Sequence, residues 1–370
     1  MIRFSSALYL GFHHGSHTLP AWEHLTTGMP AAMEESPLCA GVEAGLCDLM
    51  GCGGAAVAPS TLQAFWDVFE MLAHDDVDIL VDGGTYAVAR WGVEHAACRG
   101  ARAEEFRTHD AEALRRLVWD RRGRNHRRVA VVADGVDALK GRLTPLGAYL
   151  DIAEAAGGVL IVDDTQALGL LGRRKPGSPF GVGGGGSIRW HGLEGRRVVS
   201  VASLAKGFGA PIAVVGSDAR YIERFKSASR TRVYCSPPSA AAIASAHRAL
   251  DLNAQRGDVL RDRLAENVRR FRTLLRRRGL AATGGLFPIQ TLTPTASGLG
   301  ADASDLRDHL AAAGIEAVLR STEDGPRVSF LINALHTTAQ LERSADVLAK
   351  AVSADEVLAE SSGGDTWPRS

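Results

Sequence analysis

Lys206 follows an apolar, β-branched run in "VVSVASLAKGFGAPIAVVGS" (198–217), with Gly207 and Gly209 close behind it. Lysine is rarely fully buried unless paired. When its surroundings lower its pKa, it becomes a Schiff-base former. A second run, "VLIVDDTQALGLLG" (159–172), ends its apolar part in Asp163 and Asp164. An acid and a lysine at two strand ends fit either a plain ion pair or two reacting groups. A third stretch, "AAVAPSTLQAFWDVFEML" (55–72), breaks at Pro59, and Ser60 and Thr61 then open a helical composition. A helix start with hydroxyls and free amides is an ordinary N-cap or an anion site. In "DGGTYAVARWG" (82–92), Tyr86 follows a strand end in a glycine-rich turn.

The elements that must position these residues alternate along the chain. "DILVD" (78–82), "RRVAVVAD" (127–134), "GGVLIVDD" (157–164), "RRVVSVAS" (196–203) and "PIAVVGS" (211–217) are short apolar runs. They suit strands covered on both faces. Helix patterns lie between them, such as "PLGAYLDIAEAA" (145–156). The expectation is an α/β domain with a mostly parallel sheet, whose strand ends would place Asp163 and Lys206 side by side. "GSPFGVGGGGSIRW" (177–190) is expected to be a flexible, exposed loop. From about residue 240 a long helix pattern is followed by "FPIQTLT", "ASDLRDHLAAAG", "RVSFLIN" and "TTAQLERSADVLAKAV", a smaller α+β domain. The expected boundaries are an N-terminal arm at 1–30, a large domain at 31–245, a small domain at 246–355 and a disordered tail at 356–370. Trp66 and Trp91 are expected in the core, and His336 as a cap on the last helix.

Composition narrows the classes. The 370 residues are 45% hydrophobic, with 42 Lys and Arg against 42 Asp and Glu. That balance gives no reason to expect nucleic acid or an anionic membrane as partner. The arginine runs "RRGRNHRR" and "RRFRTLLRRRG" read as solvated faces. Five cysteines without a C-x-x-C pair argue for reduced thiols in a cytoplasmic protein, without a disulfide framework or a zinc site. No apolar run is long enough for a membrane span.

A lysine for an aldehyde, a carboxylate for a pyridine nitrogen, a helix N-terminus for a phosphate and a flat ring for stacking together match pyridoxal phosphate. At these residues the sequence resembles the fold-type I pyridoxal-phosphate enzymes of the class I/II aminotransferase superfamily. Within them it resembles the α-oxoamine synthases, the group of 8-amino-7-oxononanoate synthase and 2-amino-3-ketobutyrate CoA ligase. "LYLGF" is similar to the family's N-Y-L-G, "VLIVDDTQALGLLG" to its D-[DE]-[AS]-H-x-x-G-x-x-G, and "SLAKGFG" to its T-[LF]-[SG]-K-[AG]-x-G. "YCSPPSAAAIASA" and "AVLRSTEDGPRVSFLINALHT" are similar to its S-t-x-x-P-P and arginine-bearing segments.

The resemblance implies Lys206 as the Schiff-base lysine and Asp163 as the partner of the pyridine nitrogen. It implies Ser203, Ser60 and Thr61 around the phosphate. Ser236 would reach the partner subunit's phosphate in a homodimer with shared sites. Arg320 would clamp the substrate carboxylate, a task suited to a guanidinium. Tyr86 stands where the family has a ring-stacking histidine, and Gln166 where its motif has another. Tyrosine still stacks, and glutamine can hydrogen-bond the cofactor without titrating. Asp137 and Ala138 replace the serine region after "DGV". The chain begins part-way into the family's sequence, so the segment shaping an acyl-CoA entrance is expected to be short or absent. The implied activity is condensation of an amino acid with an acyl-CoA or acyl-carrier-protein thioester. Transamination, or cofactor binding without turnover, are the alternatives.

Overall fold

The structure, a computed structural model, describes residues 1–75, 77–122, 128–293, 303–322 and 325–362. It divides into two compact units, one made of Phe12–Asp137 and Leu143–Val259, the other of Met1–Gly11, Ala138–Arg142 and the residues from Leu260 onward.

The first unit is built on seven strands: β1 (Gly54–Ala58), β2 (Val77–Asp82), β3 (Arg102–Phe106), β4 (Arg128–Asp134), β5 (Val159–Asp163), β6 (Val198–Ser203) and β7 (Ala213–Ser217). They lie in the order β1-β7-β6-β5-β4-β2-β3. All are parallel except β7, which runs antiparallel to both neighbours. This is the mostly parallel α/β sheet expected from the alternation of apolar runs and helices.

The strands sort their side chains by parity, because successive residues point to opposite faces. Ile79, Val81, Ala130, Val132, Ile161, Val199 and Val201 join one core with Phe65, Val68 and Phe69 of α2 (Thr61–Ala73) and Val93 of α3 (Ala87–Cys98). Leu80, Val131, Ala133, Leu160, Val162 and Val198 join the other, with Leu114 of α4 (Ala111–Arg122) and Tyr149 and Leu150 of α5 (Leu146–Ala155). Every residue of β2 is buried. Two-sided burial explains why their central residues, such as Ile79–Val81, are apolar without alternating.

Two expectations fail in this unit. Trp66 and Trp91 are not core residues: they are 40% and 51% exposed. Trp66 instead stacks on His95 at 3.6 Å between centroids, and that imidazole is held at 2.6 Å by the buried Glu70 carboxylate. The glycine-rich segment is not a flexible exposed loop either. Ser178–Val182 pairs antiparallel with Arg173–Lys175, and Gly186–His191 forms the short helix α6 with Ser187 fully buried. Its glycines serve conformation: Gly181, Gly183, Gly184 and Gly186 all have positive φ, where other residues are strained. Residues 123–127 of the first arginine run lie outside the described residues.

In the second unit, β8 (Ala282–Thr283), β9 (Ile289–Leu292), β10 (Val318–Thr322) and β11 (Gly325–Leu331) form an antiparallel sheet in the order β8-β9-β11-β10. The helices α10 (Ala303–Ala312) and α11 (Thr338–Ser362) belong to the same unit. Ile2–Arg3 pairs in parallel with Ile315–Glu316, and Phe4 packs among Phe271, Phe330 and His336. His336 does not cap α11. Its Nδ1 accepts from the Asn333 amide at 3.0 Å, so Nε2 carries the proton and donates to the Arg3 carbonyl at 2.9 Å. The cap is reciprocal: Gln340 N–H donates to Thr337 Oγ1, and Thr337 N–H donates to Gln340 Oε1. Residues 356–362 of the expected tail are helical, and 363–370 lie outside the described residues.

Candidate active site

The chemistry-bearing residues of the first unit collect at one edge of the sheet, the carboxyl ends of its parallel strands. Register fixes this. Asp163 pairs with Asp134 on one side and with Val201 on the other. Ser203 and Ala58 both pair with Ala213 of the antiparallel β7. The ends of β1, β6, β5 and β4 therefore lie in one row, followed by Ser60, Lys206, Thr165 and Gly135 respectively. Gaps at strand ends of this kind are where α/β sheets bind ligands.

Asp163 is buried, and burial pushes its carboxyl above the usual carboxylate range. Hydrogen bonds from Thr165 and the charge of Lys206 pull it back. Thr165 N–H donates to Asp163 Oδ1 at 3.0 Å, while Thr165 Oγ1 accepts from the Ser203 amide at 3.0 Å. One threonine thus ties the end of β5 to the end of β6. Ser203 Oγ in turn accepts the Ala205 amide at 3.2 Å, shaping the turn that carries Lys206. The Lys206 ammonium sits 5.9 Å from the centroid of the Tyr86 ring. Tyr86 is 59% exposed, so its ring offers an open face.

Tyr86 is placed by acids that sequence reasoning did not bring to the site. Its backbone N–H donates to Asp134 Oδ1 at 3.0 Å. Asp82, at the end of β2, accepts from the Gly84 amide at 2.7 Å, from the His109 amide at 2.9 Å and from the Tyr149 hydroxyl at 2.6 Å. These bonds fix the Gly83–Gly84 turn before Tyr86. Burial pushes the Asp134 carboxyl well above its ordinary range, and the neighbouring Asp163 pushes it further; the Tyr86 amide opposes. Of these two acids, Asp163 has the Lys206 cation acting on it. The signal was present in the sequence, because "DILVD" and "RRVAVVAD" both end in aspartate.

Asp164, the next residue, turns away from this cluster. Its carboxylate accepts the Ser187 amide at 2.9 Å and the Ser187 hydroxyl. It is clamped between Gly135 and Gly186, where an added Cβ would lie 2.4 and 2.0 Å from its oxygens.

The remaining expected residues are placed as follows. Ser60 is the N-cap of α2, accepting the Gln63 amide at 3.3 Å, and Thr61 is the first helical residue. Gln166 is half-buried just beyond Thr165, and Ser236 is exposed after the helix α8 (Arg230–Tyr234). Arg320 belongs to the second unit, on β10, where its Nη1 donates to the Ala138 carbonyl at 3.4 Å.

The residues at the strand ends fit pyridoxal phosphate. A buried carboxylate is destabilised as an anion and would gain from a protonated ring nitrogen. An amine lies across an open aromatic face, and a helix N-terminus with hydroxyls stands at the same edge.

A seven-stranded, mostly parallel sheet with one antiparallel strand and a smaller α+β unit is the fold of the type I pyridoxal-phosphate transferases. A model of the family "Aminotransferase class I and II" matches residues 41–348, and the chain belongs to that family. It is 28% identical over 361 residues to an 8-amino-7-oxononanoate synthase of Sodalis glossinidius, covering 95% of this chain and 87% of the relative. It is 28% identical over 284 residues to one of Symbiobacterium thermophilum, covering 74% and 69%. Among solved structures, Sphingomonas wittichii serine palmitoyltransferase superposes with a TM-score of 0.81 at 22% identity, over 96% of this chain and 88% of the other. Serine palmitoyltransferase from S. paucimobilis, with PLP and myriocin bound, gives 0.80 at 21% identity over 96% and 88%. The resemblance to α-oxoamine synthases read from the motifs agrees with these relatives.

Proposed function

We propose that the chain is a pyridoxal-phosphate-dependent acyltransferase of the α-oxoamine synthase type, joining an amino acid to an acyl thioester. The observation that carries this reading is Lys206, with its ammonium beside the open Tyr86 ring and its charge on the buried Asp163. The curated relatives, named 8-amino-7-oxononanoate synthase, favour condensation over transamination. Bound pyridoxal phosphate supplies an electrophilic carbonyl carbon and a protonated ring that draws electrons from an attached amino acid.

The chain's own residues do the rest. Lys206 Nζ would hold the cofactor's carbonyl carbon, and as a free amine it would take the α-proton of the amino acid. Asp163 holds the proton on the ring nitrogen, and Tyr86 covers one ring face. Gln166 hydrogen-bonds the ring oxygen. Ser60, Thr61 and Ser203 hold the phosphate, with Ser236 reaching the partner subunit's phosphate in a homodimer. Arg320 binds the substrate carboxylate. Among the described residues no helix is long and apolar enough to cross a membrane. Together with five free cysteines, that supports a cytoplasmic setting for the reading.

The test is the visible absorption spectrum of the purified protein and of Lys206→Ala, with single amino acids and then a panel of acyl thioesters added. A borohydride-sensitive visible band that needs Lys206, and thiol release that needs both an amino acid and one thioester, are the expected results. A colourless protein after added cofactor would sink the cofactor assignment. Keto-acid formation without thiol release would replace condensation by transamination.

A further inference from the structure

The helix α1 (Cys39–Met50) ends at Gly51, whose φ of 70° and ψ of 37° place it in the left-handed region. The Gly51 and Cys52 amides both donate to the Cys47 carbonyl, at 2.8 and 3.2 Å. The bond from Cys52 back to Cys47 closes the six-residue ring of a Schellman stop, a motif that brings the first and sixth side chains into contact. In most helices that contact is between two apolar residues. Here it is between two thiols.

The hydrogen bonds follow from the backbone. Cys47 Sγ donates to the Cys52 carbonyl at 2.9 Å, and Cys52 Sγ donates to the Gly54 carbonyl at 3.1 Å. Cys52 Sγ also lies 3.8 Å from the Cys47 carbonyl, so each sulfur faces the other residue's backbone. Both are half-buried, and both are free. Arg189 fixes the helix end around them, donating to the Leu49 and Asp48 carbonyls at 3.1 and 2.6 Å. Sequence spacing hid the pair, because C-x-x-x-x-C is no redox or metal signature. The left-handed glycine creates the juxtaposition.

We propose that Cys47 and Cys52 form a dithiol site that a low-molecular-weight disulfide, such as oxidised glutathione, closes into an intramolecular disulfide. This goes beyond the transferase reading and does not depend on it. The Cys47 thiolate attacks one glutathione sulfur, forming a mixed disulfide and expelling a glutathione thiolate that takes up a proton. The Cys52 sulfur, losing its proton to solvent, attacks the Cys47 sulfur and expels the second glutathione. Two protein thiols are oxidised and one glutathione disulfide is reduced to two thiols.

Burial, then the neighbouring Cys47, pushes the Cys52 thiol up to about 12. A thiol must shed its proton to attack, so closure speeds up as pH rises. Closing the bond withdraws both S–H donors from the carbonyls of Cys52 and Gly54. Gly54 opens β1, the edge strand that leads to Ser60 and Thr61. The charged groups around the turn are Arg189, against Gly51; Glu194, which Arg189 holds at 3.0 Å; Asp218, against Gly53; and Arg196.

The experiment treats the holoprotein with oxidised glutathione at rising pH, alkylates the remaining thiols and maps them by mass. Met50 lies between the two cysteines, so cyanogen bromide separates them unless they are bridged. The expected result is loss of two alkylatable thiols, retention of the bridged fragments as one species, and release by dithiothreitol. Cys47→Ser and Cys52→Ser each prevent it, and Cys98→Ser does not. A stable glutathione adduct on Cys47 with Cys52 still alkylatable would overturn the proposal. So would oxidation confined to the exposed Cys98. Mapping the unmutated protein decides the matter even if a serine variant folds poorly.

Discussion

Replacing Asp164 by asparagine should flatten one component of the protein's pH-dependent stability. Asp164 is 1% exposed, and burial raises its carboxyl from 3.8 to about 6 despite the Ser187 hydrogen bonds. The folded chain therefore binds this proton more tightly than the unfolded chain. Between about pH 4 and about pH 6 the folded state holds more protons, so stability falls as pH rises through that window. A separation of about two pKa units corresponds to about 3 kcal/mol, fully felt above pH 6 and absent below pH 4. Asparagine does not titrate. Its amide can give its carbonyl oxygen to the Ser187 N–H and its NH2 to the Ser187 hydroxyl, as the protonated acid does. In urea titrations from pH 4 to 8, wild type and variant should be closest in stability at low pH. By neutrality the variant should lead by about 3 kcal/mol. A difference constant across that range would refute the argument that burial outweighs the Ser187 bonds.

Two further outcomes follow from the same geometry. Tyr86→Ala should weaken cofactor retention by about 0.5–1.5 kcal/mol, up to about tenfold in dissociation constant, while Tyr86→Phe leaves it unchanged; absorbance titration with pyridoxal phosphate measures both, and a loss in the phenylalanine variant would mean that the hydroxyl, not the ring, matters. Glu70→Gln should destabilise the protein by about 3 kcal/mol, because the buried carboxylate is shared by His95, His74, Arg99 and Arg230. Burial raises Glu70, but the His95 hydrogen bond and the arginines outweigh it, leaving it lowered. Its stabilisation is present above the unfolded carboxylate range and is lost as pH falls through the folded one, so the variant should differ least from wild type in acid. Urea midpoints at several pH values read this directly.

The strands were legible because burial on both faces leaves little choice of residue. Their central residues, Ile79–Val81 and Leu160–Val162, had to be apolar on both faces. Helix starts were legible where a side chain supplies the missing acceptor, as Ser60 does for α2. The glycine-rich segment misled because composition cannot distinguish glycines that loosen a chain from glycines that let it turn tightly. Gly186 is needed because the Asp164 carboxylate occupies the space a Cβ would take. Trp66 misled because its size suggested burial, whereas its stacking partner is the His95 imidazole of α3, held by the buried Glu70 carboxylate of α2.

The sequence by itself determined the alternation of strand and helix, the lysine and the aspartates at strand ends, and their likeness to a family. These are local properties, set by which residues suit a buried strand and which must stand at its end. Only the tertiary structure decided which of two adjacent aspartates faces Lys206. Neighbouring residues on an extended chain point opposite ways, and the partners waiting on each side, Thr165 and Lys206 for Asp163 and Ser187 for Asp164, come from elsewhere in the chain. It also decided that Asp134 and Asp82 belong to the same edge, because the parallel register of β2, β4 and β5 aligns ends that lie far apart in sequence. Cys47 and Cys52 met for a local reason that spacing does not display: a single left-handed glycine folds the end of a helix back on itself.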